Sequence, residues 1–433
     1  MAWKERVQKE TALKNRQWFI VLLFALLAGA QMSCAQERRA GGIAGARDRH
    51  TVRVPVIDVT DLYFPHDPPS DLGDNFDLVN AYALPEIDLK AVILDVSSEA
   101  RNSSHDIGVI PVAQLNYIFG RNVPFAAGPF TRMRSLDDKM LDAPAFQQQG
   151  VKLLLKTLRE SPVPVTIVSF GSLRAIAVAY NRDPALFRAK VAAIHISAGN
   201  ALSADSPGAA DLRTAIPRIE WNVWLDPLAL ARLLRSDLPI AIYPCAAAKA
   251  DSDVKRQDPD FALTAHNSYW LLPSLDFVSR MDPQLRNYLG FTFSRAVRMD
   301  ILRSMDTGLS VAESAAAASA YTKSYDVWET AIWIAVSKRA LVRCQDGSYE
   351  IVPAADVKPT DQPLKNDLVR CGIKATDDGR FVFDLSRGAG SNFRIYDRGD
   401  AQLNQTALQE ALPRLYESYV SPGRQDGGRE AQK

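Results

Sequence analysis

The sequence predicts an α/β protein: an open, mostly parallel sheet flanked by helices, with insertions and a small C-terminal extension. Three observations predict it. Short runs such as "TIVSF" and "IAIYPC" are apolar throughout, stretches of helical period separate them, and 433 residues with 47% apolar content suffice to bury one large core. Strands apolar on both faces belong in sheets covered on both sides by crossover helices. Such open sheets bind ligands beyond the carboxyl ends of their strands.

Taken in order, Lys4, Arg6, Lys9, Lys14 and Arg16 precede the apolar stretch "WFIVLLFALLAGA" and the small-residue segment "QMSCAQ". A basic region, a short apolar core and a small-x-small site describe a secretory signal over residues 1–35, cleaved after Ala35. The protein is then exported, periplasmic or secreted. The apolar stretch is short of the ~20 residues a membrane span needs; a lipid anchor at Cys34 is the alternative. Residues 36–50 form a polar, Gly-rich linker. The main domain over 51–345 comes next. Its strand "VRVPVIDV" leads to the helix "NFDLVNAYAL", and the strand "IDLKAVILDV" to the helix "VAQLNYIFG". Then come the helix "GVKLLLKTLRES", the strand "VPVTIVSF", the helix "LRAIAVAYNRD", the strand "KVAAIHISAG", the helix "ALARLLRS" and the strand "LPIAIYPC". Residues 246–324 read as an inserted, partly helical lid region. A C-terminal extension over 346–420 holds strand signals in "GSYEIVPAADV" and "GRFVFDLS" and the helix "NQTALQEALPRLYES", before a disordered tail from 421 to 433.

Removing residues 1–35 takes away five basic and two acidic groups, leaving 46 against 48 and a net charge of about −2. No basic patch remains, so nucleic acid and anionic membrane surfaces are not partners. There is no GxGxxG or P-loop fingerprint, hence no phosphate-cradling cofactor loop. Cys245, Cys344 and Cys371 lack zinc-site spacing; after export, Cys344 and Cys371 could bridge. The oligomeric state stays open, a homo-oligomer included.

One segment demands chemistry. "DVTDLYFPHDPPSDLGDNFDL" crowds Asp58, Asp61, Asp67, Asp71, Asp74, Asp77 and His66 into the end of a buried strand and the short stretch beyond it. Unpaired buried carboxylates repel one another and cost several kcal/mol. Either the segment is a solvated loop or a cation sits among the carboxylates. Bland alternatives exist: Asp74 to Asp77 fits a helix cap with a capping-box acid, and Asp67 and Asp71 fit turns. Asp58 either orients a neighbour or ligates. His195, inside "AAIHISAG", reads as a satisfied core histidine.

The ordered segments "ALPEIDLKAV", "PVTIVSFGSLRAIAVAYNRDP", "EWNVWLDPLALARLL" and "YDVWETAIWIA" behind that aspartate loop resemble the inosine-uridine preferring nucleoside hydrolases, over roughly residues 52 to 340. The resemblance implies one Ca2+ held at the strand ends by Asp61, Asp77 (or Asp74), Asp326 and the carbonyl of Phe170. It implies ribose hydroxyls gripped by Glu220 and Asn222, with Asn200 and Asp74 as further substrate contacts. Asp61 would take a proton from the attacking water as the N-glycosidic bond breaks through an oxocarbenium-like state. The partner would be a small riboside. The family's late His–Asp pair reads Tyr325–Asp326 here, so Tyr325 stands where the residue that helps the base leave would be. Its reference pKa near ~10 makes it a weak acid. Insertions at 62–73, 201–219 and 246–324 fall where the base would bind, with His66, His266, Tyr269 and Trp270 as candidate base contacts. The chain is thus either a calcium-dependent ribohydrolase with an altered leaving group, or a non-catalytic ribosyl-binding protein that keeps the fold.

Overall fold

The computed structural model describes residues 53–64, 73–95, 106–248, 262–295 and 298–422. The signal segment, the linker, His66, Asp67, Asp71 and the tail from 423 lie outside the described residues.

Eight strands form the central sheet: β1 (Val54–Thr60), β2 (Ile87–Leu94), β3 (Phe125–Ala127), β4 (Val165–Ser169), β5 (Val191–Ser197), β6 (Ile240–Tyr243), β7 (Asp367–Arg370) and β8 (Phe393–Asp397), in the spatial order β7-β8-β6-β5-β4-β1-β2-β3. All neighbours run parallel except the β7/β8 pair at one edge. From β1 the chain winds outward through β2 and β3, then returns to β4 on the other side of β1 and continues the opposite way. The topological switch point therefore lies between β1 and β4, where an open sheet parts its loops to form a crevice.

Each face is buried for the reason the apolar runs suggest. Ile57, Val59, Ile93, Ile167, Ile194, Ile196, Ile242 and Ile395 point to one side. Helices α3 (Gln149–Glu160), α4 (Arg174–Arg182) and α5 (Pro227–Leu233) cover them. Helix α3 brings Val151, Leu154, Leu155 and Leu158, an apolar stripe at helical spacing. Val56, Val92, Val168, Tyr243 and Tyr396 point to the other side. There α1 (Gly73–Ala83), α2 (Val109–Ile118), α6 (Pro283–Phe293), α7 (Thr330–Val336) and α8 (Ala401–Glu417) pack.

Helix α1 is unusual in burying its polar side as well: Asp74, Asn75, Asp77 and Asn80 are all inside. Tyrosines supply the hydrogen bonds such burial requires. Tyr288 of α6 donates to Asn75 at 3.2 Å, Asn80 donates to the Tyr416 hydroxyl at 2.6 Å, and Tyr419 donates back to Asn80 at 2.6 Å. The C-terminal helix thus seats the helix that carries the aspartates.

Three sequence expectations change here. The residues after 345 are not an appendage, because β7 and β8 extend the main sheet by pairing with β6. Glu220 and Asn222, which would alternate with Trp221 on one side of a strand, instead stand at the head of a one-turn helix, Trp221–Leu225, with Glu220 as its cap. Cys344 and Cys371 are both buried and not joined to each other; Cys344 packs with Val342 and Val352 in a small outer cluster while Cys371 sits in the main core.

Candidate functional site

At the switch point the carboxylates gather. Asp58 lies in β1, Asp61 just beyond it, Asp95 just beyond β2, Asp74 and Asp77 in α1, and Glu329 immediately ahead of α7; all are buried. Two glycines let the backbones close in. A Cβ on Gly73 would run into the Glu329 carboxylate. One on Gly171, just after β4, would stand 2.8 Å from Asp95 Oδ2 and 3.2 Å from the Asp61 Cβ.

Some of this charge is answered. Trp333 donates its indole N–H to Asp77 Oδ1 at 2.6 Å. The Ser172 hydroxyl lies 2.8 Å from both oxygens of Asp95. The Trp328 N–H donates to Glu329 at 3.1 Å. The rest is not: neither oxygen of Asp58 nor Oδ2 of Asp77 has a hydrogen-bond donor among the described residues. Burial raises the pKa of Asp58, and burial with the nearby charges of Asp58 and Glu329 raises that of Asp77. Glu329 is pushed up to about 7 by burial, with Asp61 adding to the effect. These are the marks of acids placed for a positive charge or a proton.

Hard carboxylate oxygens without donors suit a hard divalent cation, so the residues fit calcium chemically. Among the described residues no group of three or more His, Cys, Asp or Glu stands ready-spaced for a metal.

Next to the acids, Arg174 is fully buried and donates to Asp226 at 2.8 Å, to the Leu225 carbonyl at 3.0 Å and to the Pro129 carbonyl at 3.2 Å. Asp226 also accepts from the Met133 and Ala229 N–H groups. This knot fixes the loop after β3, the head of α4 and the head of α5 around the crevice.

Beyond β5, Glu220 accepts the Gly199 N–H at 2.7 Å and caps its own short helix through the N–H groups of Asn222 and Val223 at 2.9 and 3.3 Å. Asn222 donates to the Ser197 carbonyl at 2.8 Å. Asn200 bridges the Glu220 N–H and the Ala247 carbonyl. All three are thus anchored at the carboxyl end of β5. Phe170 comes directly after β4, buried, with its ring stacked on Trp333 at 6.2 Å.

The other sequence candidates have partners that can be named. Asp326, in the short strand Tyr325–Val327, accepts from the Tyr269 hydroxyl at 2.9 Å, and Glu329, three residues on, also packs among the acids. The Tyr325 hydroxyl donates to the Ala320 carbonyl, and burial pushes its pKa up to about 12. His266 is bonded to the Tyr396 carbonyl and packs on Phe383. Trp270 is fully buried and donates to Thr330. Helix α1 already begins at Gly73, so Asp74 belongs to its first turn and Asp77 lies a turn further in, bonded to Trp333. Sequence reading passed over Glu329, Asp95 and Arg174. Asp95 carried a readable signal, being an acid that ends an apolar strand as Asp58 and Asp61 do.

An open parallel sheet with acids massed at its switch point defines an α/β protein built to bind a polar ligand or cation there. Residues 63–386 match the inosine-uridine preferring nucleoside hydrolases, and the chain belongs to that family. Among its relatives, the pyrimidine-specific ribonucleoside hydrolase RihA of Citrobacter koseri is 33% identical over 198 residues, covering 42% of this chain and 58% of that protein. RihA of Salmonella arizonae is 33% identical over 184 residues, 39% of this chain and 55% of that one. The chain thus matches little more than half the length of these curated relatives. Among solved structures, a plant nucleoside hydrolase, PpNRh1, superposes with a TM-score of 0.46 at 16% identity, covering 84% of this chain and 99% of the other. An inosine-uridine preferring nucleoside hydrolase of Bacillus anthracis gives 0.42 at 15% identity, over 80% and 95%.

Proposed function

We propose that the protein hydrolyses the N-glycosidic bond of ribonucleosides or related ribosides in a calcium-dependent way. The observation that carries this reading is the convergence of Asp58, Asp61, Asp77 and Glu329 at the switch point, where both oxygens of Asp58 and Oδ2 of Asp77 have no donor among the described residues; family membership supports it.

The cation would be held by Asp61, Asp326, the Phe170 carbonyl and Asp77 or Asp74, with Glu329 as a further carboxylate beside them. When bound, calcium supplies a strong positive charge to which a ribose diol and a water are drawn. Asp61 takes the proton of the attacking water. Asp58 and Asp77 contribute fixed negative charge where the ribosyl ring turns positive. Glu220 and Asn222, anchored beyond β5, orient the sugar hydroxyls, and Asn200 holds Glu220 in place. Tyr325 has its proton committed to Ala320, so it offers the departing base little help.

Export with cleavage after Ala35 belongs to the same proposal, and N-terminal sequencing of the mature protein tests it. The activity test is hydrolysis of uridine, inosine and p-nitrophenyl riboside with calcium and with chelator, by the natural chain and by Glu329→Gln. Calcium-dependent turnover lost in the variant supports the proposal. Calcium-dependent ribose binding with no turnover of any substrate makes the protein a ribosyl-binding protein instead.

A further inference from the structure

Toward the end of the sheet where the parallel strands begin, four residues on neighbouring strands share one face. His195 on β5 stands beside Ala241 on β6, which stands beside Arg394 on β8, which stands beside Arg370 on β7. The methyl group of Ala241 cannot fill the space between its longer neighbours, and a hollow of about 190 Å³ results. Ala193, Pro239, Leu368 and Asn392 complete its walls, and no carboxylate lines it.

Three features of this hollow have no structural purpose. Arg370 and Arg394 are directly opposite each other on antiparallel strands, an arrangement of like charges that destabilises a sheet. Among the described residues neither guanidinium has an acidic partner; Arg370 donates to the Ser391 carbonyl at 2.8 Å. His195 is nine-tenths buried, its Nδ1 is 3.0 Å from the Tyr243 hydroxyl, and its Nε2 has no partner among the described residues.

We propose that the hollow binds a small oxyanion, a phosphate or a short carboxylate, held between Arg394 and Arg370 with His195 Nε2–H as third donor. An anion offsets the repulsion between the two arginines and accepts from both forks. The volume falls below the ~300 Å³ at which pockets for drug-sized ligands begin, so the occupant is small. Burial and the Arg394 charge hold the His195 pKa down to about 4, so the ring is neutral at pH 7. Binding therefore fixes one tautomer: Tyr243 donates its hydroxyl proton to Nδ1, and the ring proton resides on Nε2 facing the anion.

The chain has five histidines, few enough for their imidazole nitrogens to be followed by NMR in the full-length protein, with His195→Gln assigning the signal. Titration with inorganic phosphate, and separately with acetate, is expected to move the His195 nitrogens saturably; whichever anion binds more tightly names the preferred source. Arg394→Gln is expected to weaken binding at least tenfold, and Arg370→Gln serves the same purpose should the first variant fail to fold. Asp77→Asn, at the far end of the sheet, should leave binding unchanged. Stationary His195 signals with both anions, or equal shifts in folded Arg394→Gln and natural protein, would overturn the proposal.

Discussion

Trp333 donates its indole N–H to Asp77 at 2.6 Å, joining a helix near residue 333 to a carboxylate 256 positions earlier. That bond satisfies one oxygen of Asp77 and leaves the other buried beside Asp58 with no donor. The acids are therefore held together by the fold at the cost of raised pKa values. Asp58→Asn should raise stability in chelator by about 1–3 kcal/mol, because one buried charge is removed. Calcium should then stabilise the natural protein more than the variant. Thermal melts with and without calcium decide it; a variant less stable than the natural chain in chelator would show that the acids are not in conflict.

The commitment of the Tyr325 proton to Ala320 has a kinetic consequence. General acid catalysis contributes ~10²–10⁴ in rate, so p-nitrophenyl riboside, whose leaving group needs no proton, should be cleaved that much faster than inosine or uridine. Tyr325→Phe should change neither rate by more than a few-fold. A large loss on nucleosides alone would assign the acid to Tyr325 after all.

Glu220 does two jobs that substitution can separate. Its side chain caps the helix Trp221–Leu225, and loss of a cap costs about 0.5–2 kcal/mol. Glu220→Ala should therefore lower the melting temperature, whereas Glu220→Gln, which keeps one of the two acceptor oxygens, should lower it less and still weaken riboside affinity. Unaltered affinity in Glu220→Gln would leave the residue purely structural.

His195 gives a pH signature. Its folded pKa of about 4 lies below the ordinary value of 6.5, so between those values the unfolded chain binds the extra proton. Stability should thus fall as pH drops from about 6.5 to 4, by up to ~3 kcal/mol from this residue. The difference in unfolding free energy between natural protein and His195→Gln, tracked across that window, should slope accordingly; a flat difference refutes it.

Arg174 and Asp226 form an ion pair with both side chains out of water. Removing one partner strands the other, so Arg174→Met should cost about 3–5 kcal/mol. Chemical denaturation of the natural protein and the variant measures the difference; a loss below about 1 kcal/mol would show that the pair is not needed to hold Asp226.

Strands β1, β2, β4, β5 and β6 and helices α1 to α5 were legible because each buries an apolar run or stripe, and such patterns survive in a single sequence; β3, three residues long, carries too little pattern to be read. The aspartates were legible as a group, since several acids ending one buried strand have no cheap explanation. Which acids meet was not. Glu329 sits just before a helix only three residues on from Asp326, and nothing in the sequence shows that Gly73 brings α1 up against it. The role of β7 and β8 was equally hidden. "DLVR" and "FRIYD" are short and charged, and only the open side of β6 gives them a reason to be strands.

That pairing of β8 with β6 also orders events in time. Until residue 397 has left the ribosome, the apolar strand "IAIY" has neighbours on one side only. Contacts this distant in sequence form late and slowly, and an unpaired apolar edge is a template for other chains. Newly made protein is thus exposed to self-association for the whole interval between synthesis of β6 and of β8, and a message truncated anywhere in those intervening 150 or so codons would yield aggregates rather than a smaller folded protein.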